Sequence, residues 1–376
     1  MVYINILQVI SGNDNGGGGN HVLNICTNNI KDMNCQLACI GKGELYYKSK
    51  KLGANTIAFS PKEIIKGKLV EYINKNNIDL VNFHGAKGNF LYWIIKKNIN
   101  MPTVVTIHSN YKQDFLNNKL KYYLFTPLSI LGLKSFNNYI CVSKYLKDLT
   151  DKDGFKGNKF IVNNGIDFNK FCSEKFTSIN KHSLNVEEQD FVFTMVARMH
   201  PIKNHRNTIE AFYKLSKEFH NIKLILLGDG EERGYIKNRI EELSLQDKVI
   251  ILGFKSNVKD YIKISNITIL TSFSEGGAPP IAILESGALK VPIIASRVSD
   301  IPDIINDSNG YLVDPNSVDD IYNKMKESYL NKDKLKDLGI RLYENILNRY
   351  SMDKFHESYY KHYKNILKNS KLWSEV

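Results

Sequence analysis

Two cations follow an apolar run in the second half of the chain. Arg198 comes directly after Phe191–Ala197, and Lys203 lies a few residues further on, before a helix predicted to start near Asn204. In an open α/β sheet, ligands bind beyond the carboxyl ends of the strands, so both cations can reach one ligand. A guanidinium and an ammonium there can hold a diphosphate and stabilise its charge as it leaves. Alternatively, they are two solvated cations on the surface.

A glycine- and proline-rich loop separates two glutamates further along the chain. Glu275 precedes Gly276 and Gly277, and Glu285 lies about a turn and a half into a helix predicted from about Pro280. Proline suits the first helical turn, and the glycine amides can face an anion. Glu285 can accept hydrogen bonds from ribose hydroxyls, and Glu275 can meet a sugar. Alternatively, Glu275 only favours the helix dipole and Glu285 is a surface residue.

A run of four glycines follows the first predicted strand and precedes a helix. Gly17 and Gly18 lie at its centre, where backbone amides can approach a phosphate or a sugar closely. The run lacks the GxGxxG spacing with a following acidic residue, so a nicotinamide site is not expected. A flexible turn that binds nothing explains the same glycines.

Two histidines end predicted strands of the first half. His108 closes Val104–His108 and can touch a transferred sugar or its phosphate. His84 closes Leu80–His84 in the same way. A histidine at a strand end is more often structural, so a structural role is the alternative for both.

Short apolar runs alternate with amphipathic stretches, which is typical of βαβ units and of parallel sheets covered by helices. The predicted strands of the first half are Ile6–Ile10, Gln36–Ile40, Thr56–Phe59, Leu80–His84, Val104–His108, Tyr139–Ser143 and Phe160–Val162. Predicted helices between them include His21–Met33, Glu63–Asn76 and Asn89–Lys97. The strands of the second half are Phe191–Ala197, Lys223–Gly228, Val249–Leu252, Ile267–Leu270, Pro292–Ala295 and Tyr311–Val313.

This alternation and the length of 376 residues predict an α/β fold with two Rossmann-like domains. The first domain is predicted to span residues 1–172 and the second residues 189–351. The polar stretch 173–188 is predicted to be a linker. The Tyr- and Lys-rich tail, residues 352–371, is predicted to be a helix that packs back on the first domain.

The net charge of +12 lies almost entirely in the first half of the chain. Residues 1–180 hold 23 Lys and 12 acidic residues, a balance of +11. Such a half attracts acidic lipid surfaces, phosphorylated lipids or nucleic acid, although compositional bias alone explains it equally well. The segment 111–125 mixes lysines with aromatic residues, which fits an interfacial helix on an acidic membrane or an ordinary core-facing helix.

The rest of the composition excludes several classes. No apolar stretch reaches the roughly 18 residues of a membrane span, and the N-terminus lacks a basic leader, so a cytoplasmic location is expected. The five cysteines are scattered without a CxxC pair, which indicates free thiols. His200 and His205 lack helical ligand spacing and a neighbouring carboxylate cluster, so no metal site is expected. Without a recognisable motif, nucleic-acid binding is not expected.

Taken together, these segments resemble the family 4 glycosyltransferases, which are retaining enzymes of the GT-B fold. The second half carries the most specific match, in Val196–Arg198 with Lys203, Leu226–Glu231, Val249–Phe254, Val291–Arg297, Ile301–Ile305 and Gly310–Val313. In the first half, the glycine run, His108, Cys141–Ser143 and Asn163–Asp167 look like family landmarks.

The resemblance implies two Rossmann-like domains whose parallel sheets face each other across a cleft, with the acceptor mainly on the first and the donor mainly on the second. It implies a nucleotide diphosphate sugar as donor, with a UDP-sugar favoured, and no cofactor or metal ion. For such an enzyme, the basic first domain and the Lys- and aromatic-rich segment 111–125 suggest a saccharide or lipid-linked acceptor in cell-surface polysaccharide synthesis, with peripheral contact to the acidic inner face of the cell membrane. The catalytic residues it implies are Arg198, Lys203, Glu275 and His108, and the donor-binding residues are Glu285, Gly276, Gly277, Gly228, Gly17, Gly18 and Ile281.

One departure from the family concerns the spacing of the two glutamates. The family separates them by seven residues, whereas nine lie between Glu275 and Glu285 in this chain. Glu285 keeps its helical context, so its ribose-binding role carries over. The longer loop must bulge for the carboxylate of Glu275 to reach the sugar.

Two other interpretations keep the fold and change the function. A sugar-nucleotide epimerase or a phosphorylase of this fold carries out a different reaction, and the epimerase needs no acceptor. A non-catalytic partner subunit binds the nucleotide sugar without transferring it, as the altered glutamate spacing suggests. The presence of Arg198, Lys203 and Glu285 favours an active enzyme.

Overall fold

The computed structural model describes residues 3–14, 16–28, 30, 32–112, 119–173, 179–276 and 279–370. The chain forms two compact units. Unit 1 is built on Met1–Asn164 and the C-terminal segment from Asp353, and unit 2 on Gly165–Glu275 and Pro279–Met352. Each unit contains its own parallel sheet.

Unit 1 contains a seven-stranded parallel sheet in the order β3-β2-β1-β4-β5-β6-β7. Its strands are β1 (Ile4–Ser11), β2 (Met33–Ile40), β3 (Thr56–Phe59), β4 (Leu80–His84), β5 (Thr103–Ile107), β6 (Asn138–Cys141) and β7 (Asn158–Ile161). The helices that follow them are α1 (Gly17–Cys26), α2 (Glu44–Lys51), α3 (Pro61–Ile65), α4 (Lys68–Lys75), α5 (Gly85–Ile95), α6 (Lys119–Leu133) and α7 (Lys144–Lys152). A 3₁₀ turn, Lys96–Asn98, follows α5.

Both faces of this sheet are buried. Leu7 and Val9 of β1 pack into a large core on one face, whereas Ile10 packs with Leu37 and Cys39 in a second cluster. A strand that is covered on both sides shows a continuous apolar run rather than alternation, which is why these runs were visible in the sequence.

Unit 2 contains a six-stranded parallel sheet in the order β10-β9-β8-β11-β12-β13. Its strands are β8 (Phe191–Val196), β9 (Ile222–Leu227), β10 (Val249–Gly253), β11 (Ile267–Leu270), β12 (Ile293–Ser296) and β13 (Tyr311–Val313). Its helices are α8 (Phe168–Ser173), α9 (His205–Glu218), α10 (Arg233–Glu242), α11 (Val258–Lys263), α12 (Ile281–Ala288), α13 (Val318–Leu330) and α14 (Leu335–Tyr350). Short 3₁₀ turns lie at Lys181–Leu184, Pro201–Lys203, Ile301–Asp303 and Lys332–Lys334.

The final helix, α15 (Met352–Lys368), packs on unit 1. Phe355, Tyr359 and Tyr363 are buried along one side of it. Tyr359 and Tyr363 hydrogen-bond to side chains from α1 and from the sheet of unit 1. The tail that follows unit 2 in sequence therefore completes the core of unit 1.

Several boundaries differ from the sequence-based prediction. The helix predicted at 21–33 is α1, Gly17–Cys26, because β2 already begins at Met33. The helix predicted at 63–76 is divided into α3 and α4 at Gly67, whose φ is +92°. Such breaks need backbone angles that apolar periodicity does not reveal.

The predicted first domain also ends earlier than residue 172. Residues 165–172 lie in unit 2, where the backbone N–H of Ile166 donates to Tyr350 O and Phe168 packs against a core cluster. The predicted linker 173–188 contains the 3₁₀ turn Lys181–Leu184 and the buried side chain of Val186. The boundary between the units differs from the prediction because residues 165–172 contact α14, a helix that is distant in sequence.

A glycine in α14 tests how tightly unit 2 is packed. A Cβ atom at Gly339 would lie 1.9 Å from Lys290 O, a backbone atom that cannot move aside without displacing its neighbours. We expect Gly339→Ala to lower the free energy of unfolding by about 1–3 kcal/mol in urea denaturation. The control is Gly234→Ala in α10, where a Cβ meets nothing within 4 Å and helix propensity predicts a neutral or stabilising change. Equal stability of the two variants would contradict this packing.

Candidate functional site

The first pocket lies in unit 2, at the carboxyl ends of the neighbouring parallel strands β8, β9 and β10. The start of α12 forms another wall, and the cavity volume is about 480 Å³. Its lining residues are Val196, Ala197, Arg198, Leu227, Gly228, Asp229, Phe254, Lys255, Val258, Ile281, Ala282 and Glu285. The parallel sheet therefore brings separate chain segments to one cavity.

Arg198 lines this pocket directly after β8, and its side chain is exposed. Gly228, which follows β9, passes so close to β8 that a Cβ atom there would lie 2.0 Å from Ala197 O. Its φ of +132° is also one that residues with side chains rarely adopt. The glycine is therefore required by the close approach of the two backbones, and it leaves the pocket open beside Arg198.

Glu285 lines the same pocket from the second turn of α12. Burial raises the pKa of its carboxyl group to about 7, because the charged form loses its contact with water. A partly buried carboxylate regains part of this loss by accepting hydrogen bonds from a ligand. Glu285 is thus suited to receive hydroxyl groups from a molecule whose anionic part lies near Arg198.

Lys203 and Glu275 form an ion pair near the ends of β8 and β11. Lys203 Nζ lies 2.7 Å from Glu275 Oε1 and 2.8 Å from Oε2. The carboxylate is almost fully buried and the ammonium is partly exposed. Because the ammonium contacts both carboxylate oxygens, the pair joins the Lys203 turn to the loop that follows β11.

Asn204 holds Lys203 in this position. It adopts a left-handed conformation with φ +59°, and its side-chain amide donates to Thr271 O at 3.0 Å and Pro315 O at 2.8 Å. The same side chain caps α9 by accepting from Asn207 N–H. Asparagine tolerates this backbone conformation better than most residues, so it ties the Lys203 turn to the end of β11.

The structure brings together only part of the predicted donor site. Arg198, Gly228, Ile281 and Glu285 line one pocket. Lys203 and Glu275 lie outside the lining of that pocket and are paired with each other. Gly276 is exposed, and Gly277 lies outside the described residues.

The second pocket lies in unit 1, at the carboxyl ends of β1, β4 and β5, and has a volume of about 440 Å³. Its lining residues are Asp14, Gly17, Gly18, Gly85, Ala86, Asn89, Thr106, Ile107, His108, Ser109, Tyr111, Leu133, Val142 and Asn164. Three of the predicted residues, Gly17, Gly18 and His108, thus meet here. A Cβ atom at Gly18 would lie 3.5 Å from the His108 ring, so the glycine allows the loop to lie against that ring.

Asp14 changes the chemistry expected of the glycine run. Its Oδ1 accepts hydrogen bonds from the backbone N–H groups of Gly16 at 3.0 Å and Gly19 at 3.1 Å. The start of α1 therefore already holds a carboxylate, which opposes a second anion there. The pocket is better suited to a neutral, hydroxyl-bearing ligand than to a phosphate.

Three histidines of unit 1 form a cluster, in which His21 and His84 are buried and His108 is partly buried. The rings of His21 and His108 pack edge to face with centroids 4.7 Å apart, and those of His84 and His108 stack at 5.1 Å. Burial lowers the pKa of His108 to about 4. Burial, followed by the charge of His108, lowers the pKa of His21 and His84 well below the usual range. The cluster is therefore neutral at pH 7.

Sequence reasoning missed several lining residues of both pockets. In unit 2, Lys255 follows the end of β10, and its position after a strand was a usable signal. In unit 1, Asp14 precedes the glycines as capping residues do, which was also readable. Asn89 and Tyr111 reach the pocket from a helix and a loop, and nothing in their local sequence indicates this.

The D-x-D sequence Asp151-Lys152-Asp153 is occupied by ion pairs. Asp151 is bridged to Lys147 and Lys159, and Asp153 to Lys112. Within the described ranges, no group of three His, Cys, Asp or Glu side chains is placed to hold a metal ion. No helix in the part of the chain that the structure describes is long and apolar enough to cross a bilayer.

Comparison with known families accounts for both units. Residues 16–170 match Glycosyltransferase Family 4, and residues 177–344 match Glycosyl transferases group 1. The chain belongs to the family 4 glycosyltransferases. The predicted family and the α/β, GT-B fold class are thereby confirmed.

Two relatives match this glycosyltransferase over most of its length. It is 26% identical over 268 residues to the UDP-Gal:alpha-D-GlcNAc-diphosphoundecaprenol alpha-1,3-galactosyltransferase of Escherichia coli, and the match covers 68% of this chain and 68% of that one. It is 24% identical over 318 residues to the N-acetyl-alpha-D-glucosaminyl L-malate synthase of Bacillus anthracis, over 82% of this chain and 80% of that one. A crystal structure of Anabaena HepE with UDP has the same fold, with a TM-score of 0.81 and 17% sequence identity. The superposition covers 96% of this chain and 100% of that one.

The raised pKa of Glu285 predicts a pH-dependent stability. Its pKa in the folded protein is about 7, above the usual 4.5. Between pH 4.5 and 7, the folded protein therefore keeps a proton on this carboxyl group that the unfolded chain has lost. The stabilisation is complete below pH 4.5 and is lost as the pH rises through about 7. Glutamine at this position does not titrate. As the pH rises from about 5 to about 8, we expect the free energy of unfolding of Glu285→Gln to increase by up to roughly 3 kcal/mol relative to that of the wild-type protein, measured by urea denaturation.

A matched control for this measurement is Glu188→Gln, because the Glu188 side chain is 77% exposed. The gain with pH should be confined to the buried position. If both variants respond to pH in the same way, burial does not perturb Glu285.

Proposed function

We propose that this glycosyltransferase transfers a sugar, with retention of anomeric configuration, from a UDP-sugar to a saccharide or lipid-linked acceptor in cell-surface polysaccharide synthesis. The observation that carries the proposal is the unit 2 pocket, in which Arg198, Gly228 and Glu285 meet at one strand edge. The Escherichia coli relative is named for a UDP-galactose donor and a diphosphoundecaprenol-linked acceptor, which supports this choice of substrates.

The pocket matches the parts of a nucleotide sugar in turn. Arg198 can pair with the diphosphate, which passes the open space beside Gly228. Glu285 accepts hydrogen bonds from the ribose hydroxyls. Phe254 is 79% exposed at the rim, where its ring can stack on the base. The pocket therefore offers a cation to the diphosphate, a carboxylate to the ribose hydroxyls and an aromatic ring to the base.

Lys203 supplies the second cation in this proposal. In the structure it is held by Glu275, so a bound diphosphate must share the ammonium with that carboxylate. Arg198 and Lys203 together stabilise the charge that grows on the departing nucleoside diphosphate, and no metal ion is needed for this step. The departing phosphate can then take the proton of the acceptor hydroxyl on the same face of the sugar, which gives retention.

Unit 1 supplies a pocket without a free cation among its lining residues, within the described part of the chain. His108, the histidine in this lining, is neutral, and the carboxylate of Asp14 already occupies the start of α1. Such a pocket favours hydroxyl groups over phosphate groups. We therefore assign His108, Gly17 and Gly18 to contacts with sugar hydroxyls rather than with the diphosphate.

The proposal also places unit 1 at an acidic membrane surface. Tyr123, Leu124 and Phe125 of α6 are 74, 55 and 48% exposed. In contrast, Thr126 and Ser129 of the same helix are buried. Three consecutive apolar side chains thus face outwards near the start of this helix, although Leu133 at its end is buried in the core of unit 1.

Neighbouring residues extend this face. Trp93 and Ile94 of α5, which packs against α6, are 41 and 40% exposed, and Lys97 beyond them is exposed. Tyr111, at the other end of the predicted interfacial segment, is buried in the core, so only part of that segment is available to a membrane. Aromatic residues beside lysines suit the headgroup region of an anionic bilayer.

The donor site is tested by calorimetric titration with UDP-, GDP- and ADP-sugars, followed by product analysis. We expect a UDP-sugar to bind best and the new bond to keep the anomeric configuration of the donor. Arg198→Ala should weaken donor binding by about tenfold or more, because a charge-assisted contact is lost. The control is Arg341→Ala, at an exposed arginine outside the pocket lining.

Three results would contradict the assignment. These are donor binding that is equal in the two arginine variants, conversion of the donor sugar without any acceptor, and binding without transfer to any acceptor. The second would indicate an epimerase, and the third a non-catalytic subunit.

Membrane contact is tested by sedimentation with phosphatidylcholine vesicles that contain or lack phosphatidylglycerol. We expect binding only to the anionic vesicles and weaker binding at high salt. A triple variant, Tyr123→Ser, Leu124→Ser and Phe125→Ser, should bind about tenfold or more weakly, because three apolar side chains no longer enter the interface. Tyr47→Ser on α2, at a side chain that is 62% exposed, is the control. Unchanged binding of the triple variant would exclude this face.

A further inference from the structure

A chain of buried polar side chains connects α15 with His108. Tyr363 Oη accepts hydrogen bonds from Gln8 Nε2 at 3.0 Å and Asn82 Nδ2 at 2.8 Å. Gln8 Oε1 lies 2.8 Å from His84 Nε2, and His84 Nδ1 lies 2.8 Å from His108 Nε2. Four groups in sequence thus lead from the sheet interior to a residue that lines the unit 1 pocket.

These polar groups lie inside the sheet of unit 1, where Asn82 also bonds to the buried Thr106 of β5. Gln8 and Asn82 are paired in register on β1 and β4, and both are fully buried. His84, at the end of β4, is 1% exposed. Burying unpaired polar groups costs about 1–3 kcal/mol each, so this arrangement persists only because every member has a partner.

The order of donors and acceptors determines the tautomer of each ring. Gln8 Oε1 can only accept, so His84 Nε2 carries the proton and donates to it. The neutral His84 then has a lone pair on Nδ1, which accepts from the Nε2–H of His108. His108 is left with an unprotonated Nδ1.

The amide orientation of Gln8 is the origin of this order. Its Nε2 lies 3.0 Å from Tyr363 Oη and 3.5 Å from Cys35 Sγ, so both amide protons have acceptors. A reversed amide would make His84 Nε2 the acceptor, and the proton on His108 would move to Nδ1. The two arrangements therefore predict opposite hydrogen-bonding character for His108.

We infer that His84 is a positioning residue, which holds His108 in the tautomer with a proton on Nε2 so that His108 Nδ1 accepts a hydrogen bond from a sugar hydroxyl. This inference rests on the proposed function and narrows the ligand of His108 to a hydroxyl group. A phosphate oxygen has no proton to donate at neutral pH, so it gains nothing from a ring nitrogen that only accepts. The histidine is thereby selective for the sugar over the diphosphate.

The direct test is long-range ¹H–¹⁵N NMR on the full chain with ¹⁵N-labelled histidine at pH 7, without substrate. We expect the His108 signals, assigned by their loss in His108→Gln, to show a protonated Nε2 and an unprotonated Nδ1. A proton on Nδ1, or a mixture of both tautomers, would overturn the inference. This readout does not depend on any transfer activity, so it fails or succeeds separately from the proposed function.

Two substitutions at His84 test the positioning role in the transfer assay. His84→Gln keeps one acceptor and one donor in a side chain of similar reach, whereas His84→Phe keeps neither. We expect His84→Phe to give mixed His108 tautomers and a loss of kcat of about tenfold, with the KM for the donor nearly unchanged. His84→Gln should restore the single tautomer and most of kcat.

His356→Gln is the control for loss of a histidine from unit 1, because His356 hydrogen-bonds to Asn24 O away from the pocket lining. Equal kcat of His84→Phe and His84→Gln would overturn the positioning role, as would a change confined to the KM for the donor. If His84→Phe does not fold, the tautomer of the wild-type protein and of His84→Gln still decides the question.

Discussion

Parallel alignment of the strands is the constraint on which both pockets depend, because it places every strand's carboxyl end at one edge of its sheet. In unit 2 this edge gathers Arg198 and Gly228, and in unit 1 it gathers His84 and His108. The sheets are buried on both faces, so these edges are held by apolar packing rather than by the polar groups themselves. Residues far apart in the chain can therefore form a site of fixed geometry.

The two pockets differ in their electrostatics. The unit 2 pocket is lined by the guanidinium of Arg198. The ion pair of Lys203 with Glu275 lies beyond the ends of β8 and β11 in the same sheet. The unit 1 pocket is lined by the neutral ring of His108 and by the start of α1, where backbone N–H groups already bond to the carboxylate of Asp14. Transfer from a nucleotide sugar breaks the bond between the sugar and a highly charged diphosphate and forms a bond between the sugar and an uncharged hydroxyl group, and this division of charge suits those two groups.

Much of the fold and part of the candidate site in unit 2 could be predicted from the sequence. Strands buried on both faces leave continuous apolar runs, and a cation or a glycine after such a run lies at the ligand edge, as Arg198 and Gly228 do. The ion pair between Lys203 and Glu275 could not be predicted in this way, because it joins residues 72 positions apart. The two were expected to act on different parts of one ligand, and in the structure their side chains are paired with each other.

The sequence by itself determined the two α/β units and the strand-end positions of the charged residues, because local periodicity and composition encode them, and the resemblance of its motifs indicated the family. Only the tertiary structure decided which side chains become partners. Gln8 and Tyr363 are 355 positions apart and meet because α15 packs on unit 1. The outward direction of Tyr123 and the proton position on His108 also follow from such packing, since burial and hydrogen-bond pairing are properties of the assembled core.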